Sequence, residues 1–405
     1  MSTLSSFFDT IIIGGGIAGL YSAYRILQEN PLTRLIVIEK EKNLGGRARN
    51  ELFYGVPIVT GAGIGRFDKD KLLHKLVTKF DLPIHYFKTS HQYTKDINLS
   101  IEDVNYIWKY LKDEFIEHPI GCTFKEFALH KLGKKTYNNF ITFAGFTDYE
   151  NENAYDTLFL YGFEDNITDW NGFSVPWNDL VNSLEKFIGP THFLLQKEVI
   201  RITPSYSNFS IKLNDNTNLL SKNVILATTI TSVINLVHVY TKFYKQIKSQ
   251  PFLRVYGKFS NKSSILMKEH IKTTTIVKGA LQKILPINAD KGIYMISYSD
   301  NKNAIQLYPY ISNTEKNRSY FCYLLEIALD LPMHSLKLLG IKSYFWSTGT
   351  HYYQPTDEIR DDFIYRLQHP LPRLFVVGEM ISLNQGWTEG ALESVEEIID
   401  EITPI

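Results

Sequence analysis

A run of β-branched residues, Thr10-Ile11-Ile12-Ile13, leads into Gly14, Gly16 and Gly19, and an apolar repeat at helical spacing follows at Leu20, Tyr24 and Leu27. The pattern predicts a strand, a tight turn and a helix. In such a unit the first glycine permits the turn and the second lets backbone approach a pyrophosphate. The third brings the helix close to the strand, so that the amides of Ile17 and Ala18 at its start face phosphate charge. A second apolar run, Leu35-Ile-Val-Ile38, ends in Glu39, twenty residues after Gly19, with Lys40 beside it. An acid in that register accepts the hydroxyls of a ribose, and the combination predicts a dinucleotide site.

The next glycines narrow the choice of dinucleotide. Leu44-Gly-Gly46-Arg47 is followed by Val59-Thr-Gly61-Ala62-Gly63-Ile-Gly65-Arg66. A nicotinamide-binding unit does not need this second set, whereas a flavin dinucleotide has a longer body to be gripped. Arg47 offers a planar fork to a pyrophosphate, and Gly61 to Gly65 let backbone run beside a ribityl chain or ring. Near the far end, Leu374-Phe-Val-Val-Gly378-Glu379 is followed by Gly386-Trp387-Thr388-Glu-Gly-Ala-Leu-Glu-Ser394. A carboxylate at a strand end can accept a ribityl hydroxyl, and a helix starting near Thr388 points its positive end at whatever lies before it.

Together these segments resemble the flavin-containing amine oxidases, the family of the monoamine and polyamine oxidases. The resemblance implies an α/β fold in which a Rossmann-like FAD-binding domain is interleaved with an α+β substrate-binding domain. A middle stretch, Gly172 to Trp177, a helix over Leu180–Phe187 and the run Phe193 to Thr228, resembles the family's return to the flavin domain, with backbone at Val199 meeting the adenine. The implied division is 1–80, 171–240 and 357–405 for the flavin domain, and 81–170 with 241–356 for the substrate domain.

The resemblance also implies a lysine at flavin N5 and two aromatic rings flanking the path to the flavin. Arg254 falls in the lysine register, with Lys258 four residues on and Lys283 a second candidate. Arginine still donates to a water but does not deprotonate near neutral pH. Trp387 falls on one ring position and His351 on the other, and Thr350 stands where some relatives bind flavin through a cysteine, so non-covalent FAD is expected. Within the substrate segments, helices are expected over Val104–Phe115 and Phe124–Leu132, and strands over Phe252–Phe259, Leu281–Leu285, Gly292–Tyr298 and Ala304–Tyr308.

The chain of 405 residues has room for two domains and a substantial core, and 43 basic residues balance 43 acidic ones. No block of like charge points to nucleic acid or an anionic membrane. Cys122 and Cys322 read as reduced core residues, with no metal site expected. No signal segment precedes the first strand and no apolar run reaches the ~20 residues of a membrane span, so a soluble intracellular (cytoplasmic) protein is expected. The expected chemistry is oxidation of an amine C–N bond to an imine, with oxygen as acceptor and hydrogen peroxide as product. Two alternatives stay open: a flavin desaturase or oxidase of an apolar C–C substrate, and a non-catalytic FAD-binding scaffold. The acidic run Asp148, Glu150, Glu152 and Asp156 favours a cationic substrate.

Overall fold

A computed structural model describes residues 7–356 and 358–402. Its largest sheet has seven strands. In order across the sheet these are Val199–Pro204, Phe209–Leu213, Asn218–Leu226, Phe7–Ile13, Leu35–Glu39 and Phe193–Leu195, with Leu374–Val376 pairing to the far end of Asn218–Leu226. The strands from Asn218–Leu226 to Phe193–Leu195 run parallel, as does Leu374–Val376. Parallel strands covered on both faces read as continuous apolar runs, as Ile11-Ile12-Ile13 does. Ile12, Val37, Ile225 and Phe375 pack under the helices Ile17–Glu29, Trp177–Ile188 and Thr388–Glu396. Their neighbours Ile11, Ile13, Ile36, Ile38, Val224 and Leu226 pack on the opposite face with Ile230–Leu236 and Arg360–Gln368. The two-residue alternation of a strand accounts for this division.

A second sheet has the order Leu338–Tyr353, Ile247–Phe259, Ile293–Asp300, Lys283–Asn288, Thr274–Ile276 and His91–Tyr93. Two helices pack near it, Ile101–Glu117 and Phe124–Ala144. Each opens with a reciprocal cap, Ser100 with Asp103 and Thr123 with Glu126, which satisfies amide donors that have no intrahelical partner. Stacked rings of Trp108, Phe140 and Phe163 fill the space between them. A small sheet, Ile64–Arg66 with Asn171–Ser174 and Tyr86–Lys88, joins the segment after the second glycine set to the middle of the chain.

The expected helices lie inside longer ones and the strand over 252–259 inside Ile247–Phe259, while the strand expected over 292–298 begins one residue later, at Ile293, and runs to Asp300. The strand expected over 281–285 begins two residues later, at Lys283. The strand expected over Ala304–Tyr308 is instead part of the helix Asn301–Leu307. Ile305 and Leu307, two apart, imitate strand alternation, but Ile305 is exposed, and the buried residues Ala304 and Leu307 stand three apart at helical spacing. Cys122 is half-buried and Cys322 buried, both as free thiols. Among the described residues no helix is long and apolar enough to cross a membrane.

Candidate active site

The first turn is built as its glycines require. Gly14 has φ +109°, and a Cβ there would sit 2.3 Å from the Ala227 carbonyl oxygen; one on Gly19 would sit 1.9 Å from the Gly14 oxygen. Gly16 differs, since a Cβ there would meet nothing within 4 Å. Gly378 has the same open space, and Gly46 is limited only by the Gly16 Cα at 3.5 Å. Gly16 and Gly46 border one cradle, because Gly45 donates its N–H to the Gly15 oxygen (2.8 Å) and ties the second glycine set to the first turn, while Gly378 follows the parallel strand Leu374–Val376 and donates its N–H to the Ser394 hydroxyl (2.8 Å). Glu39 stands at the edge of the cradle, accepting from the amides of Gly15 (2.6 Å) and Glu41 (2.9 Å). Lys40 is exposed beside it, and Val199 follows the stretch in which the Lys197 amide bonds the Glu39 carbonyl (3.0 Å).

Beyond the cradle, three distant pieces of chain meet at Glu379. Its Oε1 accepts from Arg47 Nη2 (3.0 Å) and lies 2.6 Å from His351 Nδ1, while its Oε2 accepts from the Gly386 amide (3.1 Å). Arg47 also donates to the Gly349 carbonyl. Burial pushes the Glu379 carboxyl upward, but His351, Arg47 and the Gly386 amide more than offset this and hold it well below the usual carboxylate range. The Ala62 amide bonds the Arg47 carbonyl (2.9 Å), so the stretch from Gly61 to Gly63 runs alongside.

The four expected catalytic side chains do not share one place. Arg254, on Ile247–Phe259, brings its Nη2 to 3.3 Å from where a Gly63 Cβ would be. It donates to the Tyr298 hydroxyl (3.2 Å) and lies 4.4 Å from that ring's centre. Lys258 instead bonds the Lys291 carbonyl. Trp387 precedes Thr388, the first residue of the helix Thr388–Glu396. The Arg66 guanidinium lies 3.7 Å from its ring centre, and Asp70 and Asp165 fix that guanidinium in turn. His351 and Trp387 both line a small recess, partly open to solvent, whose wall also carries Asp148, Glu152, Asp156 and Tyr161.

The acidic run is therefore folded inward. Glu150, Glu152 and Asp156 are buried. Asp156 pairs with Arg360, Glu152 accepts from the Thr157 hydroxyl (2.8 Å), and Asp148 accepts from the Tyr161 hydroxyl (2.7 Å). Burial and the neighbouring Asp300 push the Asp148 carboxyl up to about 7, and burial with Asp156 raises Glu152 well above its ordinary value. Lys283 has its ammonium 3.2 Å from the Phe146 ring centre. Burial lowers it to about 7, against the opposing pull of Asp148 and Asp300. Sequence reasoning missed Tyr298, Asp300 and Arg360, which act across more than 40 residues and carry no local motif.

Lys283 yields a direct test. Between pH about 7 and 10.5 the unfolded chain binds a proton at this lysine that the folded chain does not. Stability therefore rises with pH across that window. Lys283→Met is expected to flatten the rise relative to the parent, read as urea midpoints against pH.

The segment 12–98 matches the model of an NAD(P)-binding Rossmann-like domain. An uncharacterised protein of Acanthamoeba polyphaga mimivirus is 32% identical over 100 residues, a match spanning 23% of this chain and 20% of that protein's length. Among solved structures, a putrescine oxidase variant with redesigned cofactor binding superposes with a TM-score of 0.79 at 12% identity, covering 98% of this chain and 99% of that one. The wild-type enzyme bound to putrescine gives 0.77 at 12% identity, again over 98% and 99%. Cyclohexylamine oxidase from Brevibacterium oxydans gives 0.76 at 16% identity over 98% of each chain. Identities this low speak to architecture. Over nearly its whole length the chain has the fold of the flavin amine oxidases, opening with a Rossmann-like dinucleotide-binding segment.

Proposed function

We propose that this protein is an FAD-dependent oxidoreductase of the amine oxidase type, converting an amine to an imine with oxygen as acceptor and hydrogen peroxide as product. In this reading 1–80, 171–240 and 357–405 form the flavin domain, and 81–170 with 241–356 the substrate domain. The residues fit the cofactor: Gly16 and Gly46 leave a cradle open where backbone must approach a pyrophosphate, and Glu39 stands at its ribose edge. Arg47 and Glu379 continue toward the ring, and Thr350 in place of a thiol leaves the cofactor held without a covalent bond. Bound flavin supplies the acceptor for a hydride. The chain's own residues position the amine: His351 and Trp387 flank the recess, and Asp148 and Glu152 face a cation in it.

The observation that carries the reading is the recess wall itself. Carboxyl groups crowded into a buried wall are costly when unpaired, and an ammonium relieves that cost. An apolar C–C substrate leaves it standing. Amine binding should therefore release protons from Asp148 and Glu152 and tighten as pH rises toward about 7. Asp148→Asn is expected to raise KM about tenfold, equivalent to ~1.4 kcal/mol, with flavin content unchanged.

A reading as a flavin scaffold without turnover has one observation in its favour, the permanently charged Arg254 standing at Gly63 where the family resemblance implies a lysine. Anaerobic addition of mono-, di- and polyamines to the FAD-loaded chain separates the two. Loss of the long-wavelength flavin band with one class of amine supports oxidation, and an unchanged spectrum with all of them supports the scaffold.

A further inference from the structure

The imidazole of His351 is placed for a task that flanking a substrate does not require. Its side chain is 1% exposed, near the end of the strand Leu338–Tyr353. Nδ1 lies 2.6 Å from Glu379 Oε1. Glu379 Oε1 already accepts from Arg47 and its Oε2 from the Gly386 amide, so the carboxylate is the acceptor and Nδ1 the donor of that bond. Nε2 is then the other face of a fixed tautomer. It is buried, it has no hydrogen-bond partner, and its ring lines the recess. Gln250 Oε1, on the same wall, is likewise buried without a partner. Gln385 Oε1 is a third, and three unpartnered polar atoms in one wall mark a place for a polar ligand.

We propose that His351, oriented by Glu379, is the base that takes the proton from a protonated amine entering the recess. The inference rests on the amine oxidase reading above, because only a neutral amine can give up a hydride from its α-carbon. One N–H bond of the ammonium breaks, its electron pair stays on nitrogen, and an N–H bond forms at Nε2. Nothing is oxidised in this step. The imidazolium that results is stabilised by the Glu379 carboxylate, as an orienting acid stabilises a catalytic histidine elsewhere. The other charged and titratable groups near the ring are Arg47, through Glu379, and Asp148, Glu152, Tyr352 and Tyr353 along the recess. Asp156 is neutralised by Arg360, and Lys283 interacts electrostatically with Asp148.

The test uses the FAD-loaded full chain, with putrescine and cyclohexylamine as probes of anaerobic flavin reduction across pH. His351→Gln keeps an amide that can donate to Glu379, so the Arg47–Glu379 contact survives. The expected result is a rate lower by about 10²–10⁴-fold at neutral pH, recovering as pH approaches the amine's own pKa and the base becomes unnecessary. A purely structural role predicts an equal loss at every pH, and that result, or an unchanged rate, overturns the proposal. If the parent is reduced by neither amine nor by any other, the amine oxidase reading falls and takes this inference with it. Should His351→Gln fail to retain flavin, ¹⁵N imidazole NMR of the parent decides. Among the described residues His351 is the one histidine lining the recess, so its signals are those displaced by added amine. Protonated Nδ1 with bare Nε2 at mildly alkaline pH is expected. A proton on Nε2 there overturns the proposal.

Discussion

Gly16→Val is expected to yield a folded chain that leaves purification colourless. A Cβ at this position has no protein atom within 4 Å, and the backbone there, φ −75° and ψ −178°, is extended and open to valine. The side chain therefore costs the protein little and projects into the space the pyrophosphate needs. FAD affinity should fall at least ~100-fold, about 2.7 kcal/mol, while the thermal midpoint without flavin stays near that of the parent. Gly19→Ala is the opposing control. Its Cβ would sit 1.9 Å from a backbone oxygen, so it should lose about 1–3 kcal/mol of stability from overpacking alone. Chemical unfolding and flavin absorbance on the two variants separate a ligand-facing glycine from a packing one.

Glu379→Ala should be more damaging still. It removes the acceptor shared by Arg47, His351 and the Gly386 amide and so unties three pieces of chain separated by up to 339 residues (47 to 386). Breaking a buried charged contact from one side costs about 3–5 kcal/mol. The Arg47 arm is about one-third exposed and contributes the smaller share; the His351 arm, 1% exposed, contributes the larger. The expected outcome is a loss near 3 kcal/mol in urea unfolding together with loss of flavin. Glu379→Gln preserves the shape and one acceptor oxygen, and should fall between the parent and the alanine variant in both measurements.

How much could be read beforehand follows from the range over which each feature is encoded. The turn at Gly14 to Gly19 and the acid at Glu39 lie within 26 residues, and each answers a local backbone demand, so spacing alone predicted the strand, turn and helix. The fold of the whole followed because the Gly378-Glu379 strand end and the Thr388 helix carry a second local pattern. The recess is different. Asp156 meets Arg360 across 204 residues, and the Thr147 amide meets Asp300 across 153. No periodicity reports such pairings, and an acidic run of this kind reads equally well as a solvated loop until its burial is known. His351 meets Glu379, 28 residues away in the short turn after a strand of the other sheet, a relation that exists only in three dimensions. The helix at Asn301–Leu307 escaped for a smaller reason, since Ile305 and Leu307 imitate a strand's alternation although Ile305 is exposed.

The account stands on one claim, that the two ends of the chain enclose a single flavin held without a covalent bond. The direct measurement is to incubate the purified full chain with excess FAD, remove unbound cofactor, record the visible spectrum, and then precipitate the protein with acid. A yellow protein with close to one flavin per chain, its colour passing entirely to the supernatant, is the result expected. Protein that stays colourless after incubation contradicts the account at its root, and colour that remains in the pellet contradicts the non-covalent attachment inferred from Thr350.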